Sequence, residues 1–177
     1  LDDGAITSAL WVTDGTAANT FPIYRGPMAD GQLLPSIGRS ESRVFFQGYS
    51  LATGFEIWCS DGTPKGTHMV KDILPGPESS GPYQFRAIGD SVVFVARSLA
   101  TGTELWVSDG TADGTHIIKD LVQGPADSRP YQLVGYRDWV LFSCSNTEYG
   151  EELWRTDGTP EGTVLVADIN PGSESSE

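Results

Sequence analysis

Short apolar runs separated by turn residues make up most of the chain. Between residues 82 and 129 they are rich in Val, Ile, Phe and Trp, with Gly, Pro and Asp between them. The runs cover 82–88, 91–96, 103–108 and 115–121. None shows the apolar spacing of three to four residues that is typical of an amphipathic helix. Runs of this length between turn residues predict β-strands, so the pattern predicts an all-β fold.

A phrase that returns four times sets the organisation of the chain. Its tryptophans, at 11, 58, 106 and 154, are spaced by 47, 48 and 48 residues. Around each lies Glu-Leu/Ile-Trp-x-x-Asp-Gly-Thr, except that Ala9 stands in place of Glu in the first copy. A constant period of this size is typical of a repeat architecture. We therefore expect one repeat domain over 1–177, with units at approximately 1–33 (partial), 34–81, 82–129 and 130–177.

The second and fourth runs of a unit are apolar at consecutive positions, as in residues 44–46 and 117–118. Strands that are covered on both faces have this composition. A set of four-stranded sheets, each packed between its neighbours, is a β-propeller-like array. The first unit has only the last two runs, so we expect a fragment of a larger propeller.

The repeated phrase closely resembles the signature of a bacterial secreted repeat family named for Glu-Leu-Trp-x-x-Asp-Gly-Thr. In that family the phrase continues with x-x-Gly-Thr, an apolar strand ending in Asp-Ile, and a Pro-Gly/Ser loop. Residues 66–76 and 162–172 follow this order. The resemblance covers three units in full and one in part. It implies a β-propeller-like array in large exported or cell-surface proteins, without a defined enzymatic activity or catalytic residues to carry over.

The charge of the chain argues against one class of partner. There are 11 Lys and Arg against 24 Asp and Glu, a net charge of −13, and no basic cluster. Nucleic-acid binding requires a cationic face, so we expect no nucleic-acid partner. No apolar run is long enough to span a membrane, so we expect no membrane insertion. Together with the resemblance, the acidity favours a secreted or cell-surface location.

The two cysteines, Cys59 and Cys144, occupy different positions of the repeat. We expect two free, partly buried thiols. A disulfide between them would need a geometry that a sequence does not define, so that question stays open at this stage.

The aspartates of the phrase are interpreted as structural turn residues. Each precedes a Gly and opens the connection between two strands, where a carboxylate accepts hydrogen bonds from backbone N–H groups. They are Asp14, Asp61, Asp109 and Asp157. The alternative is calcium binding, although each loop offers a single recurring carboxylate and calcium needs six to eight oxygens. No other cofactor or metal is expected.

The second glycine of this connection is Gly66, Gly114 or Gly162, and Asn19 replaces it in the first copy. Asn tolerates the left-handed region best among the other residues, so the exchange predicts a left-handed backbone there.

The tryptophans of the phrase are interpreted as structural core between blades, with carbohydrate stacking as the alternative. They are Trp11, Trp58, Trp106 and Trp154. Repeated acids are interpreted as structural, with each glutamate expected to pair with Lys or hold neighbouring backbone; they are Glu56, Glu104, Glu152, Asp72, Asp120 and Asp168. His68 and His116 share one position in two units, and we favour a part-buried strand position over a two-histidine metal site.

Ligand binding is predicted in the residues between the copies of the phrase. Tyr83, Gln84, Tyr131 and Gln132 combine an aromatic ring with an amide beside Pro-rich loops, a combination suited to sugars. The alternative is that these first strands line a propeller channel. Tyr49 and Tyr149 are second choices, in the variable connection before the phrase.

The sequence therefore predicts a non-catalytic, secreted or cell-surface module that serves as a binding or adhesion scaffold. Its expected partner is a protein or a glycan at a cell surface. Assembly with further repeats of a parent chain, or with another subunit, is a further expectation. One alternative is a propeller lectin that binds carbohydrate through loop aromatics. Another is an accessory repeat region of a larger exported enzyme.

Overall fold

The computed structural model describes residues 7–27, 36–173 and 175–176. These residues form fourteen strands and one short 3-10 helix, at Ala17–Asn19. The strands are β1 Thr7–Val12, β2 Phe21–Pro27, β3 Ile37–Arg39, β4 Val44–Ser50, β5 Gly54–Ser60, β6 His68–Lys71, β7 Tyr83–Ile88, β8 Ser91–Ser98, β9 Gly102–Ser108, β10 His116–Lys119, β11 Tyr131–Tyr136, β12 Trp139–Asn146, β13 Gly150–Thr156 and β14 Val164–Ala167.

The strands form antiparallel sheets in chain order, one in each unit. β3 to β6, β7 to β10 and β11 to β14 are four-stranded sheets, and β1 pairs with β2 alone. The predicted all-β, propeller-like architecture is confirmed. In the second unit the first strand is β3, and residues 34 and 35, with which we expected this unit to begin, lie outside the described residues. We refer to the four sheets as units 1 to 4.

The core lies between the sheets. Alternate residues of each second strand point toward the preceding and the following unit, which we call the back and forward faces. Val93 and Val95, on the forward face of unit 3, are fully buried against Phe142 and Cys144 of unit 4. An equivalent cluster joins unit 2 to unit 3. Each apolar strand therefore serves two interfaces at once, which is why consecutive positions are apolar.

The tryptophans of the phrase lie on the back faces, and their burial differs between units. Trp106 and Trp154 are 8% and 5% exposed and belong to these clusters. Trp58 is half-buried, with the Tyr24 ring of unit 1 at 5.0 Å between centroids. Trp11 is 53% exposed, so its assignment to the core is wrong. Within the described residues, no unit covers the back face of unit 1.

Polar contacts connect successive units outside the clusters. The Lys71 ammonium donates to the Thr115 carbonyl at 2.6 Å, and the Lys119 ammonium donates to the Thr163 carbonyl at 3.0 Å. Each lysine lies after the phrase of its own unit. Its ammonium group contacts the connection that follows Asp-Gly-Thr in the next unit. The contact between units is therefore periodic in its polar parts as well as in its core.

Both cysteines are free and buried, Cys59 on a forward face and Cys144 on a back face. Burial raises the pKa of both thiols. Among the described residues no helix is long and apolar enough to cross a membrane.

Candidate functional site

The Asp-Gly-Thr turn satisfies its own polar groups. In unit 3, Asp109 Oδ1 accepts from Thr111 N at 2.8 Å and from Thr111 Oγ1 at 2.7 Å. Thr111 Oγ1 in turn accepts from Gly114 N at 3.0 Å, and Gly110 has a φ of +89°. The turns that begin at Asp61 and Asp157 repeat these bonds, so the phrase builds a closed connection between strands.

The second glycine of the turn is required for a different reason from the one its exchange for Asn predicted. Gly66, Gly114 and Gly162 do not have a positive φ. A Cβ at Gly114 would instead collide with the Asp109 carboxylate. In unit 1 the connection forms a 3-10 helix, and Asn19 Nδ2 donates to Asp14 Oδ2 at 2.5 Å. The left-handed prediction is therefore wrong, and close approach to the aspartate explains the glycine.

These hydrogen bonds also govern the charge of the turn. Donation by the Thr111 hydroxyl holds the pKa of Asp109 below its usual value, and the same contact acts on Asp14, Asp61 and Asp157. Within the described ranges, no group of three or more His, Cys, Asp or Glu residues is arranged to hold a metal ion. Calcium binding stays a prediction that a chelator experiment tests.

The buried glutamate of the phrase holds the long loop that follows the fourth strand. Glu104 is fully buried, and its carboxylate accepts from Ser128 N at 2.9 Å and Ser128 Oγ at 2.6 Å. Leu121 N donates to it at 3.4 Å. Glu56 and Glu152 make the corresponding contacts in their own units. Of the two roles expected for these acids, holding neighbouring backbone is the one that the geometry shows.

The remaining repeated acids and the two histidines do not form a common site among the described residues. One carboxylate oxygen of Asp72, Asp120 and Asp168 is buried without a hydrogen-bond partner among the described residues. His68 and His116 are exposed rather than part-buried, so that expectation is wrong. The His68 ring nitrogen lies 3.6 Å from the Cys59 sulfur.

A cavity of about 440 Å³ opens between units 3 and 4, where the loops between units meet the hairpins that join second and third strands. It brings together two of the four predicted ligand residues. It is lined by Tyr83, Arg129, Pro130, Tyr131, Ser145 and Glu151. This cavity is the candidate functional site.

The two tyrosines enter the cavity from neighbouring first strands. Tyr83, on β7, is half-buried, and burial followed by the charge of Asp127 raises its pKa. Tyr131, on β11, donates its hydroxyl to Glu151 Oε1, and this bond raises the pKa of Tyr131. Both phenols are therefore neutral at physiological pH and remain hydrogen-bond donors.

A main-chain hydrogen bond connects two of the segments that line the cavity. Ser145 N donates to the Ser128 carbonyl at 2.8 Å, which attaches the loop of unit 3 to the second strand of unit 4. Pro130 is buried beside it. Arg129, between the two, is exposed and has a φ of +49°. A non-glycine residue in that region is strained, and such strain is concentrated at functional sites.

The predicted glutamines do not line the cavity. Gln84 Oε1 accepts from Leu133 N of unit 4 at 3.0 Å, so its amide connects two units. Gln132 is exposed, and its side chain makes no hydrogen bond within the described part of the chain. Both have left-handed backbones, with φ of +56° and +54°. The ligand role of the two glutamines therefore stays a prediction, outside the lining of this cavity.

Four lining residues were not predicted as ligand residues, namely Arg129, Pro130, Ser145 and Glu151. Pro130 recurs as Pro82, but a comparison of the copies carries a signal for the other three. Arg129 occupies the position of Gly81, whose φ is +59°, so an arginine stands where unit 2 has a left-handed glycine. Ser145 and Glu151 stand where unit 3 has Arg97 and Thr103. The cavity thus combines three positions where the copies differ with a tyrosine position that units 3 and 4 share.

No protein-family model and no curated protein matches this chain.

Proposed function

We propose that this chain is a non-catalytic, β-propeller-like binding module of an exported or cell-surface protein, related to the repeat family that its phrase resembles. The observation that carries the proposal is the cavity of Tyr83, Arg129, Tyr131 and Glu151 between units 3 and 4. It gathers aromatic, cationic, acidic and hydroxyl groups on a rigid sheet framework, as small-ligand sites do. A non-catalytic role is supported by the motif acids, which hold backbone groups of their own turns and loops.

Carbohydrate is the ligand class that the cavity supports best, which makes a propeller lectin the more specific form of the proposal. The Tyr83 and Tyr131 rings offer apolar faces for the C–H face of a sugar. Arg129 supplies donors and Glu151 an acceptor for ring hydroxyls. An accessory repeat region of a larger exported enzyme is compatible with the same cavity.

The test is a glycan array followed by calorimetry on matched variants. Arg129→Gly removes the guanidinium and accepts the left-handed backbone, so the fold is retained while binding falls by about 10-fold or more, the effect of one charged hydrogen bond. Tyr131→Phe keeps the ring and removes the hydroxyl that contacts Glu151. Arg137→Gly is the matched control, because Arg137 is exposed with a φ of +56° and lies outside this cavity.

Full sugar binding by both Arg129→Gly and Tyr131→Phe would place the site elsewhere and contradict the proposal. If no sugar on the array binds, while a protein partner binds the wild type and does not bind Arg129→Gly, the binding-scaffold hypothesis is retained and the lectin hypothesis is excluded.

The proposed location is checked by fractionation of the source cells with an antibody against the chain. Detection only inside the cells would contradict it.

A further inference from the structure

A second cavity, of about 350 Å³, lies at the opposite end of the sheets from the Tyr83–Tyr131 cavity. It is formed where the hairpins that join first and second strands meet, and three consecutive units contribute to it. Small-molecule sites have volumes of about 300–1,000 Å³, so this one is large enough for a small ligand. It is lined mainly by Arg39, Glu41, Ala87, Gly89, Arg137 and Asp138.

The cavity has two charged sides with small residues between them. Arg39 and Glu41 belong to unit 2, whereas Arg137 and Asp138 belong to unit 4. Unit 3, between them, contributes an alanine and a glycine at the repeat positions of Arg39 and Glu41. Each side therefore carries one guanidinium and one carboxylate, and the small residues of unit 3 leave the space between them open.

These four charged side chains are exposed, and none of them is paired within the described part of the chain. They form no ion pair and no side-chain hydrogen bond with a described residue. The Arg137 guanidinium lies 5.2 Å from the centroid of the Tyr136 ring, a contact that leaves its N–H donors unused. Two sets of donors and two sets of acceptors are therefore available to a ligand.

The aspartate of unit 4 differs from its counterpart in unit 3. Asp90 accepts from Ser42 Oγ at 2.7 Å and from Ser40 Oγ at 3.1 Å, which attaches the hairpin of unit 3 to that of unit 2. Unit 3 has no serine at either corresponding position, so Asp138 lacks both donors. The same residue type thus connects two hairpins at 90 and presents its carboxylate to the cavity at 138.

A strained backbone marks the arginine of unit 4. Arg137 occupies the position of Gly89, and both have a left-handed conformation, with φ of +56° and +55°. Glycine adopts this conformation readily, whereas arginine is strained in it, and such strain is concentrated at functional sites. Because glycine builds the same turn, the arginine contributes through its side chain.

We propose that this cavity binds a zwitterionic small molecule of the α-amino acid class. The guanidinium groups of Arg39 and Arg137 hold its carboxylate, whose geometry matches the fork of N–H donors. Its ammonium group donates to the carboxylates of Glu41 and Asp138. A ligand with a single charge leaves one pair of these groups unmatched, so the ligand carries both charges. This site shares no residue with the Tyr83–Tyr131 cavity and goes beyond carbohydrate binding.

Isothermal titration calorimetry with the standard free α-amino acids tests this. The best of them should bind the wild-type chain with a Kd of about 1 mM or tighter. Its N-acetyl and C-amide derivatives, each of which lacks one of the two charges, should bind at least about 10-fold more weakly, the effect of one charged hydrogen bond.

The matched variants exchange residues between units. Arg39→Ala and Arg137→Gly place the residues of unit 3, and Asp138→Ser places the residue of unit 2. Each should retain the fold, as thermal melting checks, and should weaken amino-acid binding by about 10-fold or more. Arg129→Gly is the control, because it makes the same exchange at a left-handed position outside this cavity and should leave the affinity unchanged.

Three results would overturn the proposal: no amino acid that binds the wild type below about 10 mM; singly charged derivatives that bind as tightly as the amino acid; or full affinity in folded Arg137→Gly and Asp138→Ser. Glycan binding is an independent readout, since the two cavities have no lining residue in common. Loss of one activity with the other intact therefore shows which of the two sites fails.

Discussion

Glu104 shows how a single repeated acid serves the fold. Its carboxylate is completely buried, and three donors from the loop that follows the fourth strand converge on it. Burial raises the pKa of Glu104 to about 7, although the donation by Ser128 opposes the shift. The folded chain therefore holds this proton more tightly than the unfolded chain, whose glutamate has the ordinary value of 4.5.

The stability of the fold should fall as the pH rises from about 4.5 to about 7, by at most about 3 kcal/mol from this residue. A raised acid pKa has this sign, because its contribution is complete below the unfolded value and is lost through the folded value. Denaturant unfolding of Glu104→Gln between pH 4.5 and 8 should give a shallower decline. Glu161→Gln, at an exposed glutamate, should keep the wild-type slope. Identical slopes in wild type and Glu104→Gln would refute this.

Gly114 should be intolerant of a methyl group. Gly114→Ala places a Cβ against the Asp109 carboxylate, and such overpacking costs typically about 1–3 kcal/mol. Gly135→Ala is the matched control, since its backbone is not left-handed and the space around it is open. Chemical denaturation measures both, and the control should stay within about 0.5 kcal/mol of wild type. Equal losses would contradict the steric explanation.

The Asp-Gly-Thr turn also shows one limit of prediction from sequence. The pairing of Asp109 with its own turn follows from Asp-Gly chemistry and was predictable. The exchange of a glycine for Asn19 pointed to a left-handed backbone, yet the physical reason is a short distance to a side chain five residues earlier. A sequence does not contain that distance.

Among the elements, the first strands β7 and β11 differ in how their left-handed glutamines are used. Gln84 offsets its strain with a hydrogen bond to Leu133 N, whereas Gln132 has no such partner in the described residues. Gln132→Gly relieves strain at little cost and should leave stability unchanged or slightly higher. Gln84→Gly relieves the same strain but loses the contact, so it should be less stable than Gln132→Gly by about 1 kcal/mol. Paired thermal and urea unfolding checks this, and equal stability of the two variants would rule the contact out as a support.

Strand positions were read well from the sequence, because four apolar runs and their Gly and Asp turns recur with a constant period. The predicted runs 91–96 and 103–108 lie within β8 and β9. The lining residues of the cavity were predicted only in part. Tyr83 and Tyr131 were predicted from their residue types. Arg129 is distinguished by its strained, left-handed backbone, and Glu151 by its contact with Tyr131 on another strand. Contacts of that kind depend on the register of the sheets.

Stability across the whole molecule should follow the number of covered faces. Unit 3 is covered on both sides, and residues 92–96 of β8 are fully buried. In a stack where each unit contacts only its neighbours, units with one covered face open first. Hydrogen exchange followed by mass spectrometry should show the slowest exchange in β8 and β9 and the fastest in β1 and β2. Uniform protection along the chain would contradict a nearest-neighbour stack.

The repeated phrase builds the sheets, and we propose that binding belongs to the cavity between units 3 and 4. A two-dimensional ¹H–¹⁵N NMR titration of the chain with the best glycan from the array separates these two parts of the molecule. Shifted resonances should cluster at Tyr83, Arg129, Tyr131, Ser145 and Glu151. Shifts confined to the Asp-Gly-Thr turns, or to the exposed tryptophan of unit 1, would contradict it.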